Sequence, residues 1–154
     1  MQLYLLRHAD ADTVAAHDDD RHLSDKGISQ SQRTARFCEA HDVQPELILT
    51  SPIRRAHQTA KIVSEHLRVE MKIVRWLACG ARPEDMLHEL EKFAEYKSVM
   101  VVGHEPDFSH FAAHLIGAKS DGLHIRKCSL SSIEIFEFAQ DGGRLEFSIP
   151  PRLM

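Results

Sequence analysis

Cysteine is scarce in this chain: three residues in 154, at positions 38, 79 and 128, with no Cys-x-x-Cys pair. An odd, widely spaced set argues against a disulfide framework and reads as free thiols in a reducing compartment. No apolar run approaches the length of a membrane span. The run at the amino terminus, Leu3-Tyr4-Leu5-Leu6, is too short for a signal peptide and is broken at once by Arg7 and His8. Nor is there an excess of basic charge. A net charge of -4 and a pI near 6.2 argue against nucleic acid as the main partner, while leaving room for a local basic patch that binds phosphate. Repeats, low-complexity tracts and linkers are missing as well. What remains is an ordinary globular composition, 43% hydrophobic and 27% charged. At this length the expectation is one domain over residues 1–154, able to bury a core without staples, in a cytoplasmic protein with no membrane association.

Strand and helix signals alternate along the chain. Two short apolar runs, Leu3 to Leu6 and Val99 to Val102, read as buried strands, and each ends in a histidine: Arg7-His8 in one, Gly103-His104 in the other. Strands are also expected at Glu46 to Thr50 and Met71 to Val74. Ser24 is placed to cap a helix from Asp25 to about His41. Ser51-Pro52 reads as a hydroxyl cap followed by proline at the first helical position, opening a helix with Ile53, Ala56, Ala60, Val63 and Leu67 inward. Pro83 opens a helix with Met86, Leu87, Leu90 and Phe93 inward. Pro106 opens another, with Phe108, Phe111, Ala112, Leu115 and Ile116 on its stripe. Leu130 to Phe138 and Arg144 to Ile149 flank Gln140-Asp141-Gly142-Gly143, a hairpin signal. Strand–helix alternation closed by a hairpin implies an α/β fold: a mostly parallel central sheet with antiparallel C-terminal additions, covered by helices on both faces as a three-layer α/β/α sandwich.

In open α/β sheets, ligands bind beyond the carboxyl ends of the strands. The two strand-end histidines and Arg7 therefore converge on one rim. A neutral imidazole can attack phosphorus and later leave, and a guanidinium offers a planar fork to phosphate oxygens. Arg54 and Arg55 fall in the first turn of a helix, where positive charge is unfavourable unless an anion is bound. Periodicity alone does not choose between them. His104 could donate to a phosphoryl group, and Glu105 either exchanges a proton or caps the following helix. The loop His17-Asp18-Asp19-Asp20-Arg21-His22 has the composition of a metal site but matches no metal-ligand spacing, and reads as a solvated loop from which Arg21 could fold back over the site.

Arg7-His8, Ser51-Pro52-x-x-Arg55-Ala56-x-x-Thr59 and Gly103-His104 together resemble the histidine phosphatase superfamily, which contains the phosphoglycerate mutases. Leu23-Ser24-x-x-Gly27-x-x-Gln30 resembles a further element of that family. Within it, the short chain, Arg-His-Ala in place of Arg-His-Gly, Gly-His-Glu-Pro and Asp20-Arg21-x-Leu23-Ser24 are most similar to SixA-type phosphohistidine phosphatases. The resemblance implies a phosphoglycerate mutase-like fold, His8 as a nucleophile that becomes phosphorylated, and a phosphate pocket of Arg7, Arg55 and His104, with Arg21 as an added contact. It also selects Arg55 over Arg54. Larger relatives carry an acidic proton donor in a segment matching Leu77 to Asp85, which lacks a convincing version here; Glu84 and Asp85 are the carboxyls available, alongside Glu105.

An alcohol leaving group needs a proton as its bond to phosphorus breaks. Phosphohistidine needs it less, because its other ring nitrogen protonates near neutral pH. A weakly provided acid thus favours P–N over P–O substrates. The expected function is a phosphatase acting on phosphohistidine in a signalling or phosphotransfer protein, needing neither metal nor cofactor. Its rivals are a phosphatase of a small phosphoester and a non-catalytic adaptor that binds a phosphorylated ligand.

Overall fold

The computed structural model describes residues 1–154, built on one six-stranded sheet. In chain order the strands are β1 (Gln2–Arg7), β2 (Leu47–Thr50), β3 (Met71–Ile73), β4 (Ser98–Gly103), β5 (Leu130–Ile135) and β6 (Gly143–Ile149). The helices are α1 (Asp25–Ala40), α2 (Arg54–Leu67), α3 (Pro83–Glu91) and α4 (Asp107–Ile116), with short 3-10 turns between them. The sheet order is β3-β2-β4-β1-β5-β6. The first four strands in that order run parallel; β5 is antiparallel to β1, and β6 to β5. This is the expected α/β/α sandwich with antiparallel additions at its C-terminal edge.

Strict alternation along the central strands sorts the core into two layers. Leu3, Leu5, Leu47, Leu49, Val99 and Val101 face α3 and α4. Leu6, Ile48, Met100 and Val102 face α1 and α2. Because both faces are covered, these strands read as unbroken apolar runs rather than alternating ones. Each fully buried aliphatic side chain contributes roughly 1.5–3 kcal/mol, which fixes the register of β1 against β4: Leu6 pairs with Val102 and Arg7 with Gly103. That register brings His8 and His104 side by side just past the strand ends.

Four local expectations are corrected. Helix α2 begins at Arg54 with Ile53 at the cap, not at Pro52. The Ser51 hydroxyl accepts from the Ile53 N–H, two residues on, so it closes a turn instead of capping a helix. Pro106 is itself the cap of α4 and Asp107 its first residue. Strand β5 stops at Ile135, because the N–H groups of Phe136 and Glu137 both turn back to the Gly142 carbonyl. Gly142 is required there: a Cβ would lie 2.2 Å from the Glu137 carbonyl oxygen. Helix α3 ends at Glu91, so Phe93 lies in the turn beyond it yet still packs on the core.

Candidate active site

The segment after β1 is held from every side. The His8 N–H donates to the Gly103 carbonyl at 2.9 Å, and the Cys128 N–H donates to the carbonyls of both Arg7 and His8 at 3.1 Å. The Ala9 N–H donates to Thr59 Oγ1 at 3.1 Å. The Asp10 N–H donates to Gln30 Oε1 at 3.0 Å, and Ser24, the N-cap of α1, donates its hydroxyl to Asp10 Oδ2 at 2.8 Å. Gly27 lets α1 approach this closely, since a Cβ there would lie 1.9 Å from the Asp10 carbonyl oxygen. The Ser24-x-x-Gly27-x-x-Gln30 pattern is thus a clamp on the backbone that carries His8.

His8 is 7% exposed. Its Nδ1–H donates to the Ala9 carbonyl at 2.8 Å, which fixes the tautomer and leaves the Nε2 lone pair for the open side. Arg55 Nε donates to that Nε2 at 3.3 Å. Burial, with Arg55, Arg7 and Lys127 nearby, lowers the His8 pKa to about 4, so the ring is a neutral base at physiological pH.

His104, 2% exposed, lies 5.1 Å from His8 between ring centroids. Its pKa is lowered to about 3, chiefly by burial and then by His8, Arg55 and Arg7. Ser51 Oγ is 2.9 Å from His104 Nε2. That hydroxyl already accepts from Ile53 and has one proton to give; when it donates to Nε2, His104 carries its hydrogen on Nδ1. This Nδ1 is buried without a protein partner, a donor suited to an anion's oxygen.

Arg55 is 5% exposed. It sits one residue after the exposed Arg54, whose Nη1 is 2.6 Å from His22 Nε2. The structure therefore brings Arg55, not Arg54, to His8. Arg7 Nη1 donates to the Ile125 carbonyl at 2.8 Å, while its buried Nε has no partner. Desolvation lowers the Arg7 pKa, against the pull of Glu105; a guanidinium remains charged regardless.

Asp18 is the residue that sequence reasoning missed. Its carboxylate bridges Arg55 at 3.1 Å and Arg21 at 2.7 Å. Although desolvation opposes it, the two guanidiniums hold the Asp18 carboxyl below its ordinary range. A carboxylate thus already occupies the two forks and links Arg21 to Arg55. The aspartate run gathers no metal centre: no group of three or more His, Cys, Asp or Glu side chains comes together anywhere in the chain.

The carboxyls considered as proton donors separate clearly. Glu84 is not brought to this group; it lies 4.0 Å from His114 Nδ1 at the far end of α4. Asp85 pairs with Arg82. Glu105 does not cap α4, whose terminus has no side-chain cap. Its Oε2 accepts from Ser109 Oγ at 2.7 Å, and its Oε1 is buried without a partner, in the electrostatic field of Arg7. The loop matching the larger relatives' acidic segment is pinned instead by Asp107, which accepts from the Gly80 N–H at 2.8 Å.

The sequence model of the histidine phosphatase superfamily (branch 1) matches residues 3–78. The chain belongs to this superfamily. An uncharacterized protein of Picosynechococcus sp. is 32% identical over 84% of this chain and 82% of its own length. Phosphohistidine phosphatase SixA of Escherichia coli is 36% identical over 45% of this chain and 43% of its own. Among solved structures, the protein histidine phosphatase SixA complexed with tungstate superposes with a TM-score of 0.89 at 23% identity, covering 99% of this chain and 98% of that one. The alpha-ribazole phosphatase of Shigella flexneri does so with a TM-score of 0.80 at 19% identity, over 98% and 97%. The fold is phosphoglycerate mutase-like, and family and fold together support phosphatase activity.

Proposed function

We propose that this histidine phosphatase hydrolyses phosphohistidine on a signalling or phosphotransfer protein, through a phosphoenzyme at His8. The carrying observation is the state of His8: a neutral ring with Nδ1 tied to the Ala9 carbonyl and Nε2 presented to Arg55.

In the first step the His8 Nε2 lone pair attacks phosphorus in line with the leaving group. The bond from phosphorus to the substrate nitrogen breaks, and the substrate imidazole leaves neutral because its other nitrogen carries a proton. In the second step water attacks the phosphorylated His8, releasing inorganic phosphate and restoring Nε2 as a base. Arg7, Arg55, Arg21 and the Nδ1–H of His104 supply the positive potential on the equatorial oxygens that a metal ion supplies elsewhere, so turnover should survive exhaustive chelation.

The acid inventory supports a P–N substrate. Asp18, the exposed carboxyl nearest the arginines, is held ionised and is a poor acid at neutral pH. Glu105 is the remaining carboxyl facing Arg7 and is the candidate for moving a proton in the hydrolytic step. Free Cys38, Cys79 and Cys128 suit a reducing, cytoplasmic setting, and no helix is long and apolar enough to cross a membrane.

The test is a comparison of turnover between a histidine-phosphorylated phosphotransfer protein and a panel of small phosphoesters. Faster hydrolysis of the phosphoprotein by at least an order of magnitude in kcat/KM is the expected result. Preference for a phosphoester would move the enzyme to small-metabolite chemistry, in keeping with the fold it shares with alpha-ribazole phosphatase.

A further inference from the structure

A cleft of about 590 Å³ opens beside Arg7 rather than over His8. Its wall is α1 on one side, the loop before β5 on another, and the C-terminal 3-10 turn on the third. Apart from two prolines, no aliphatic or aromatic hydrocarbon side chain lines it. What lines it is positive: Lys26 and Arg33, seven residues apart on one face of α1, Arg126 and Lys127 from the loop, and Arg152 near the C-terminus. The one carboxylate present, Asp10, is taken by Lys127 at 2.8 Å. No carboxylate lies within ion-pair distance of Lys26, Arg33, Arg126 or Arg152. Arg33 donates only to the Pro151 carbonyl, which holds the C-terminal turn against α1.

A chain with a net charge of -4 has thus gathered unpaired cations around one cleft that shares Arg7 with the catalytic group. Uncompensated like charges repel, so the arrangement is unfavourable unless something negative sits there. The cleft is open and has no apolar floor, which suits carboxylates on a macromolecule better than a nucleobase or a ring. We propose that it docks an acidic stretch of the phosphorylated protein, flanking the phosphohistidine on the Arg7 side. This rests on the phosphohistidine reading above and adds to it the sequence character of the substrate. Such contacts act through encounter rate and are screened by salt.

Three probes test it: a phosphohistidine peptide flanked by glutamates, the same peptide flanked by lysines, and free phosphohistidine. Wild type should process the glutamate peptide about tenfold more efficiently than the lysine peptide at low salt, with the gap shrinking as salt rises. In the triple variant Lys26→Glu, Arg126→Glu, Arg152→Glu the preference should vanish or invert, while free phosphohistidine is hydrolysed at the wild-type rate. That last rate also reports that the variant is folded. A second readout, fluorescence anisotropy of the glutamate peptide with its histidine unphosphorylated, measures docking without chemistry.

Equal kcat/KM for the two peptides with wild type, or anisotropy unchanged by the triple variant, would overturn the docking site. So would tight binding of tripolyphosphate in the cleft with no binding of the glutamate peptide, which would make it a small-polyanion site. If the glutamate peptide docks on wild type and not on the variant, yet no phosphohistidine is hydrolysed, the docking site stands and the assigned reaction falls.

Discussion

Arg55 Nε donates to His8 Nε2 at 3.3 Å, so the guanidinium occupies the lone pair expected to attack phosphorus. The contact orients both groups before substrate arrives, and a phosphoryl oxygen must take over the Arg55 donor as Nε2 turns to phosphorus. Arg55→Ala should therefore cost about 10²–10³ in kcat, the typical loss for one preorganised donor to a developing anion. Arg54, which points to solvent and His22, should lose little when changed to alanine. Steady-state kinetics of the two variants on one substrate decide the matter: a larger loss from Arg54→Ala would put the wrong arginine in the pocket.

His8 itself should carry phosphate during turnover. Rapid quenching after brief reaction with labelled substrate should trap acid-labile, base-stable label on the protein. His8→Ala should lose both label and activity. Retained turnover in that variant would rule out the covalent route.

Much of this arrangement was legible in the sequence, and the misses share a cause. Strands β1 and β4 announce themselves because burial on both faces demands unbroken apolar runs, and the residues after them are then at the sheet's rim by topology alone. Arg55 was selected by family pattern, since one residue of helix rotation separates it from Arg54 and composition carries no sign of which is buried. The start of α2 departs from its sequence signal because Ser51 and Pro52 have the chemistry of a cap without forming one. The hydroxyl is instead engaged by the Ile53 N–H in a turn and by His104 across the fold. Asp18 was invisible for a similar reason: its partners lie in other elements, and a loop has no periodicity to read.

The Ser51–His104 contact predicts a positioning effect. Ser51→Ala removes the hydroxyl that holds Nε2 as acceptor and Nδ1 as donor, so the second imidazole can adopt the wrong tautomer. The expected loss is about tenfold in kcat with KM little changed. Ser51→Thr, which keeps the hydroxyl, should recover most of it. A matching loss in both variants would point to packing instead of hydrogen bonding.

The lowered pKa of His8 has a sign that can be checked. The folded protein titrates this ring near 4, whereas an unfolded chain titrates it near 6.5. Between those values the unfolded state binds more protons, so stability falls as pH drops through that window and is recovered as pH rises above it. His104, with its pKa near 3, acts in the same direction. His8→Asn should flatten the decline of the thermal midpoint toward acid pH. Nitrogen-15 NMR should show the His8 ring still mostly neutral midway between its folded and unfolded values; a titration near 6.5 would remove the argument.

Asp18 sets the last expectation. Its carboxylate holds Arg21 at 2.7 Å and Arg55 at 3.1 Å, the two forks that a phosphoryl group would need. Anion binding must therefore displace it, in a competition between one carboxylate on a surface loop and a more highly charged phosphate. Neutralising it by Asp18→Asn should leave both guanidiniums unopposed. Inorganic phosphate should then inhibit more tightly, by up to about fivefold, the scale of an exposed ion pair lost. Because phosphate is also the product, its slower release should lower kcat wherever release limits turnover, while kcat/KM rises or holds. The competitive inhibition constant of phosphate, measured for wild type and Asp18→Asn at two salt concentrations, separates this from an alternative in which Asp18 serves to align the arginines. Alignment would make the variant bind phosphate more weakly, whereas competition makes it bind more tightly, and the difference should narrow at high salt, where surface ion pairs are screened.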